Sequence, residues 1–470
     1  MKIGIFSDTY FPQISGVSTS IKTLRDELIR LGNTVYIFTT TDPNSDEIQD
    51  QAENIIRLRS VPFVSMEERR IVMVGLPTAL SIASKYKLDI VHTQTEFGVG
   101  ILGKVVANRL KIPVIHTLHT KYEDYLHYIA NGKLIHPSAV KYVIRTFLLG
   151  TEGIICPSEM TEQAIIDYGV KIPLRVIATG IELKKFTRPD ISKVDSEKLR
   201  EELGIQTGET MLLSLCRLSQ EKNIQAVLRA LPEIQQNTKV KLIIVGDGPY
   251  RHDLEAIVNE KQLENIVKFV GPIPNEEVVF YYKAADFFIS ASTSETQGLT
   301  FTESIASGTP VIAWENPYLK RIVNNDMFGY LFENEHEIAS ITLKAIKQNV
   351  PFDSATFDRK LYEISSENFG RKVADFYDWM ITNYIPPMEH MTNSMLLFGI
   401  GTVGNMKIVR NQVTDVISDQ TKKIYETGHS LISKVSKASK YVKIKANKSS
   451  DSLNQSHSLN DEETDLNKED

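Results

Sequence analysis

The chain has 470 residues, 42% of them apolar and 24% charged, with a formal net charge of −6. That length exceeds what one hydrophobic core serves and points to two domains plus extensions, while the composition excludes a mainly disordered or collagen-like chain. Two cysteines, Cys156 and Cys216, exclude a disulfide framework and a cysteine-built zinc site, and the mild acidity argues against nucleic acid as a partner.

The opening MKIGIFSDTYF has no basic region followed by a long apolar stretch, so no signal peptide is expected. Lys2–Phe6 reads as an apolar strand, followed by a loop with Pro12 and Gly16. A helix is predicted to start near Ser18 or Thr19 and to stop at Gly32. Further strands are predicted at Thr34–Thr39, Ile55–Leu58, Ile90–His92, Val114–Thr117, Gly153–Cys156 and Arg175–Ile177, with helix-period segments between most of them. Near-continuous apolar strands alternating with helices imply a parallel sheet covered on both faces.

The pattern then restarts. Gly208–Leu215, Lys241–Gly246, Val267–Val270, Phe287–Ser290 and Pro310–Trp314 read as strands. Helices are predicted over Glu221–Leu231, Tyr250–Lys261, Glu276–Ala285 and Phe301–Ser307. Two doubly wound α/β halves result, each binding ligands at the carboxyl ends of its strands, so that facing halves enclose a cleft. The expected divisions are a first lobe over 1–183, a second over 184–366 and a helix over 367–387 that crosses back to the first, followed by a basic amphipathic tail over 388–445 and a disordered acidic one over 446–470.

The tail's longest apolar run, Met395 to Gly404, is about half of what a spanning helix needs. Val409, Val413, Val416, Ile424, Leu431, Val435 and Val442 recur at mostly three-, four- or seven-residue steps, which fits a helix packed on a partner or lying on a membrane. The net charge is unevenly spread. Residues 54–150 carry +7, residues 406–448 another +7, and residues 451–470 carry −6. Basic segments of this kind are either solvated faces or surfaces drawn to anionic lipid.

Four groups of residues have the types and spacing to carry chemistry. Glu295 and Glu303 stand eight residues apart around Gly298, at a strand-to-helix turn where Leu299 and Thr300 open the helix. A helix start offers free N–H groups to an anion, and carboxylates beside it accept hydrogen bonds from sugar or ribose hydroxyls. Arg217 and Lys222 follow a buried strand and suit a diphosphate. Gly246-Asp-Gly248-Pro249 and Ser15-Gly16 are glycine turns at strand ends, and His119 closes another buried strand. Gly98-Val-Gly100-Ile-Leu-Gly103-Lys104 imitates two nucleotide-binding patterns, but Val105 stands where a phosphate loop needs Ser or Thr, and the segment does not follow the first strand of its sheet; tight packing is the expected reason for its glycines.

Taken in order, these motifs resemble the retaining glycosyltransferases of the two-lobed GT-B fold, the large family marked by Glu-x7-Glu. Glu295 and Glu303 match that motif, Arg217-Leu-Ser-Gln-Glu-Lys222-Asn223 the basic one, and Ser307-Gly308-Thr-Pro310-Val311 a third. The resemblance covers residues 1 to about 385. It implies an α/β fold of two Rossmann-like lobes facing a cleft and a UDP-glucose donor, with no metal and no other cofactor. It also implies roles: Arg217 and Lys222 would hold the diphosphate, assisted by Gly298, Leu299 and Thr300. Glu303 would take the ribose, Glu295 the sugar and His119 its O6 side. Gly16 and Gly248 would let backbone approach the donor, and Ile273 would lie near the uracil. Within the family, Ser-Glu-Thr-Gln-Gly-Leu-Thr and residues 119–125 are most similar to bacterial enzymes that α-glucosylate diacylglycerol in Gram-positive glycolipid and lipoteichoic-acid anchor synthesis. A lipid acceptor implies a peripheral enzyme on the inner face of the cell membrane. The other readings are transfer to a glycolipid, phosphatidylinositol or soluble sugar, and a non-catalytic module of the same fold. Oligomeric state is left open.

Overall fold

The structure, a computed structural model, describes residues 1–386 apart from 14, 64–65, 73–74, 120–136, 294 and 296. Both predicted tail segments, 388–445 and 446–470, and most of the 119–125 motif lie outside the described residues. The first half runs β1 (Lys2–Phe6), α1 (Gly16–Arg30), β2 (Thr34–Thr40), α2 (Glu47–Ala52), β3 (Ile55–Leu58), β4 (Ser60–Phe63), β5 (Met66–Val72), α3 (Leu76–Tyr86), β6 (Ile90–Thr93), α4 (Gly98–Leu110), β7 (Val114–Thr117), α5 (Pro137–Leu148), β8 (Gly153–Cys156), α6 (Glu159–Asp167) and β9 (Leu174–Val176). Seven of these strands make a parallel sheet in the order β3-β2-β1-β6-β7-β8-β9. β4 and β5 form a separate antiparallel hairpin that periodicity did not predict.

The second half runs α7 (Leu183–Thr187), α8 (Lys193–Glu202), β10 (Thr210–Leu215), α9 (Ile224–Asn237), β11 (Val240–Val245), α10 (Arg251–Glu260), β12 (Val267–Gly271), α11 (Val278–Ala284), β13 (Phe287–Ser290), α12 (Leu299–Ala306), β14 (Val311–Trp314), α13 (Pro317–Ile322), β15 (Gly329–Phe332), α14 (Ile338–Lys347), α15 (Ser354–Ile364) and α16 (Ser366–Asn383). Its parallel sheet has the order β12-β11-β10-β13-β14-β15. Both sheets are the parallel, doubly covered kind expected from the sequence. Successive residues of β10 show why its run is unbroken: Met211 and Leu213 enter the core holding Tyr282, Phe288 and Phe301, while Leu212 enters the opposite one with Leu228 and Leu231.

Strand order reverses beside β1 in the first sheet and beside β10 in the second. Ligands of such sheets bind beyond the strand ends at these points. They single out the loops after Phe6 and Thr93 in one sheet and after Leu215 and Ser290 in the other.

Two stretches of chain join the sheets, and they run side by side. Ile181 donates its N–H to the Ile364 carbonyl at 3.0 Å, and Ser366 donates to the Ile181 carbonyl at 2.8 Å. Gly180 lies so close that a Cβ there would stand 2.1 Å from the Ser365 carbonyl oxygen. After this contact α16 returns to the first sheet, where Phe369, Val373, Phe376, Tyr377 and Met380 pack with Ile3, Ile5, Ile21 and Ile115.

Several predicted boundaries move. The first helix begins earlier, because Ser15 and Ser18 form a reciprocal capping box. β10 begins at Thr210, since Gly208 turns with φ +79°. The helix predicted over Glu221–Leu231 is a short 3₁₀ turn at Gln220–Lys222, a left-handed Asn223 and then α9, which runs through Pro232 because Leu231 and Ile234 continue its buried face. The region beyond Trp314 adds β15, α13, α14 and α15 to the predicted elements.

The nucleotide-binding lookalike is packing, as its context suggested. Asp8 caps α4 by accepting the Val99 N–H at 2.9 Å. A Cβ on Gly103 would stand 2.7 Å from the Phe6 ring, and one on Gly100 would stand 1.7 Å from the Thr95 carbonyl oxygen. Lys104 donates to the carbonyls of Phe147 and Leu149 at the end of α5. Gly→Ala inside a helix ordinarily stabilises by roughly 0.5–1 kcal/mol. Here the obstacle is backbone, so Gly100→Ala is expected to destabilise by about 1–3 kcal/mol, read as a lowered urea midpoint.

Candidate functional site

β10 and β13, the neighbours at the second sheet's reversal, deliver the predicted constellation to one place. Leu218, fully buried, anchors the loop after β10 and leaves Arg217 exposed, in no ion pair with a described residue. Lys222 meets Glu295 of the loop after β13 at 2.5 Å. The two were predicted separately, 73 residues apart, and the fold makes them a pair.

Glycines here answer to geometry that can be named. Gly298 has φ +63°, and a Cβ on it would stand 2.6 Å from the Phe301 ring and 3.4 Å from Glu295 Oε2. The Glu295 carboxylate therefore lies over the start of α12, where Leu299 and Thr300 form the first turn and no side chain caps the helix. Gly248 has a packing reason as well: a Cβ would stand 2.3 Å from the Leu218 carbonyl oxygen. The Asp247 carbonyl accepts the Leu218 N–H, and the Leu218 carbonyl accepts the Tyr250 N–H, each at 3.0 Å. The glycine turn after β11 thus holds the Arg217 loop. Ile273, just past β12, is half-buried against the core of the same lobe.

Glu303 lies one turn further along α12. Its Oε2 accepts a hydrogen bond from the buried Tyr282 hydroxyl at 3.1 Å. Burial nevertheless pushes its carboxyl up to about 7, against the opposing pull of that bond. The group is poised to accept hydrogen bonds from a neutral ligand that would favour its charged form.

The first sheet supplies His119, two residues past β7. Its Nε2 lies 2.6 Å from Gln94 Oε1, an atom that only accepts, so Nε2 carries the proton. Burial lowers its pKa to about 4, which makes the ring neutral and leaves Nδ1 an acceptor. Gln94 is oriented by His92, whose Nδ1 meets the Tyr377 hydroxyl at 2.6 Å and whose Nε2 meets Thr117 Oγ1 at 2.7 Å. Gly16, at the first turn of α1, is exposed and faces open space, where a Cβ would meet nothing within 4 Å.

Gln94, Tyr282 and Tyr377 were not singled out in the sequence, and Gln297 entered only as part of the Ser-Glu-Thr-Gln-Gly-Leu-Thr motif. A Tyr within the apolar run of α11 and a Gln between a buried strand and a helix start were the available signals.

Residues 14–185 match the family model described as glycosyltransferase family 4, and residues 195–352 the one described as glycosyl transferases group 1. An alpha-monoglucosyldiacylglycerol synthase of Streptococcus pneumoniae is 54% identical over 385 residues, covering 82% of this chain and 87% of that protein. The protein of the same name from Acholeplasma laidlawii is 32% identical over 383 residues, covering 79% and 94%. Among solved structures, Anabaena HepE in complex with UDP matches with a TM-score of 0.65 at 18% identity, covering 80% of this chain and all of that one. Sucrose-phosphate synthase of Thermosynechococcus elongatus matches at 0.62 and 21% identity, covering 81% and 99%. The fold is thus the two-lobed one of these proteins.

The Tyr282 bond favours the Glu303 carboxylate, so Tyr282→Phe is expected to raise the Glu303 pKa further above about 7. An NMR titration with isotope-labelled glutamate checks this; a Glu303 that titrates in the ordinary carboxylate range would contradict it.

Proposed function

Because the chain belongs to the glycosyl transferases of group 1, with a family 4 first half, we propose that it transfers glucose from UDP-glucose to 1,2-diacylglycerol with retention, forming alpha-monoglucosyldiacylglycerol. The observation that carries this reading is the extensive identity to the pneumococcal synthase, spanning both lobes. The intact group of Arg217, Lys222, Glu295 and Glu303 at one strand-order reversal supports catalysis rather than a non-catalytic role.

In this reading Arg217 and Lys222 neutralise the donor's diphosphate, and the free N–H groups at Leu299 and Thr300 face it. As the bond from C1 to the phosphate oxygen breaks, the acceptor hydroxyl oxygen bonds to C1 on the same face, and its proton passes to the leaving phosphate. Lys222 arrives already paired with Glu295, which holds both side chains in the cleft before the donor binds. Glu295 accepts from the sugar hydroxyls, Glu303 from the ribose hydroxyls and His119 Nδ1 from the O6 hydroxyl. Gly16 leaves the start of α1 open to the phosphates, and Gly248 and Ile273 belong to the wall beside ribose and base.

A lipid acceptor requires contact with a membrane. Among the described residues no helix is long and apolar enough to cross one. The first lobe exposes Phe97 and Ile101 on one face of α4, and Tyr142, Val143 and Leu149 on and just after α5. These support a peripheral enzyme on the inner membrane face that meets lipid through its first lobe.

Incubation with UDP-glucose and diacylglycerol in anionic liposomes is expected to yield the α-linked glucolipid, identified by mass and anomeric linkage. Glucosylation of a different acceptor would replace the acceptor assignment, and absence of UDP release with any acceptor would defeat the enzymatic one. Arg217→Ala is expected to lower turnover by roughly two to three powers of ten; unchanged turnover would put the diphosphate elsewhere. Donor affinity is expected to weaken as pH falls through about 7, because protonated Glu303 no longer accepts from two hydroxyls. Glu303→Gln flattens that dependence, as read by UDP-binding calorimetry across pH.

A further inference from the structure

One buried side chain fastens the loop between β13 and α12 to the crossing between the lobes. Gln297 accepts the Thr179 N–H at 3.0 Å and donates its amide to the Thr179 carbonyl at 2.6 Å. The two bonds saturate the backbone of one residue from a position 118 residues away. Thr179 is fixed in turn. Its Oγ1 lies 2.8 Å from Ser20 Oγ on α1, the helix that Gly16 opens. The next residue, Gly180, is pressed against Ser365, and Ile181 is hydrogen-bonded to Ile364 and Ser366. Gln297 therefore grips a segment that has no freedom to follow it.

At its other end Gln297 stands two residues after Glu295 and directly before Gly298. The loop it holds thus carries the partner of Lys222 and the left-handed residue that starts α12. Gln297 is buried and directed at the Thr179 backbone, so its effect on a donor has to pass through the loop.

We propose that Gln297 is a positioning residue for the donor: its paired bonds to Thr179 register the loop from Glu295 to Gly298 against the interlobe crossing, and so set where the Glu295 carboxylate and the first turn of α12 meet the sugar diphosphate. The inference rests on reading this cleft as the UDP-glucose site. It differs from a merely structural role in what it predicts. A packing contact changes stability alone, whereas a registering contact changes donor affinity in the folded protein and leaves the acceptor's KM unchanged.

The test compares Gln297→Leu and Gln297→Glu with wild type in the full-length protein, by UDP-binding calorimetry and by kinetics with UDP-glucose and diacylglycerol liposomes. Gln297→Leu is expected to weaken UDP and raise the UDP-glucose KM on the order of tenfold, because two buried backbone groups lose their partners. The acid variant supplies a signature of its own. An ionised carboxylate accepts from the Thr179 N–H but repels the Thr179 carbonyl, whereas a neutral carboxyl group donates to one and accepts from the other as the amide does. A carboxyl buried against a carbonyl titrates above its usual range. The affinity ratio of Gln297→Glu to wild type at equal pH is therefore expected to recover as pH is lowered from about 8 to about 5.5. Tyr318, a buried side chain that interacts with Gln297, is pushed well upward by burial and stays neutral throughout. Wild-type UDP affinity in Gln297→Leu, or a flat ratio for Gln297→Glu, would overturn the role of Gln297 while leaving the donor site standing. Failure of wild type to bind UDP would overturn both.

Discussion

The contact of the two interlobe connections is the constraint on which the remaining architecture depends. Gly180 has no room for a side chain beside Ser365, and the single parallel bridge between Ile181 and Ser365 locks the two strands of chain in register. From that point each connection reaches back into a lobe. Thr179 meets Ser20 of α1, and Ser366 donates to Glu27 of the same helix at 2.6 Å before α16 packs on the first sheet. A third link, Arg321 between Glu159 of α6 and Glu363 of α15, ties the lobes through partly exposed ion pairs. Such pairs contribute about 1 kcal/mol or less each, so the close backbone contact at Gly180, together with the buried face of α16, dominates the geometry.

Charge in the cleft is organised around what each cation already touches. Lys222 is satisfied by Glu295, whereas Arg217 is exposed and pairs with no described residue. A carboxylate beside Lys222 lowers the electrostatic cost of keeping a second cation, Arg217, on the same loop. Glu303 shows the complementary design. It is buried and accepts from a neutral hydroxyl, and burial outweighs both that bond and the pull of Lys185, which leaves the carboxyl raised to about 7. The first lobe presents a third state, a neutral imidazole whose tautomer is fixed by the Tyr377–His92–Gln94 chain.

What could be read from the sequence follows the range of each interaction. The parallel strands were legible because burial on both faces writes itself as a local apolar run. The hairpin of β4 and β5 was not, because Pro62 and four charged residues between Glu67 and Arg70 break that pattern. The charged residues of the proposed donor site were legible as motifs at strand ends. Their supports were not: Gln297 bonds to Thr179, and Tyr377 to His92 across 285 residues, and no local pattern marks a polar side chain whose partner is supplied only by the fold. Two glycines differ in what surrounds them. A Cβ on Gly248 would meet the Leu218 carbonyl, which gives that glycine a packing reason beside the expected one, whereas Gly16 faces open space.

The same distinction revises the charge count. The +7 of residues 54–150 treats every cation as free. Yet Arg57 is spent on Asp50 and the Phe11 carbonyl, Arg70 on Ser60, and Lys104 on two carbonyls at the end of α5. Those side chains hold loops and hairpins in place; Arg57 is offset by its Asp50 partner, whereas these bonds of Arg70 and Lys104 are to neutral oxygens and leave the charge itself in place. Lys104 does something more. Through its bond to the Leu149 carbonyl it fixes the chain just after α5, where Leu149 is exposed, against the helix that carries Ile101. On the proposed lipid acceptor, the exposed apolar side chains of α4 and α5 are a stronger argument for a lipid-facing surface than the summed charge. Basic residues counted along the sequence measure that surface poorly, because the fold decides which of them still face water.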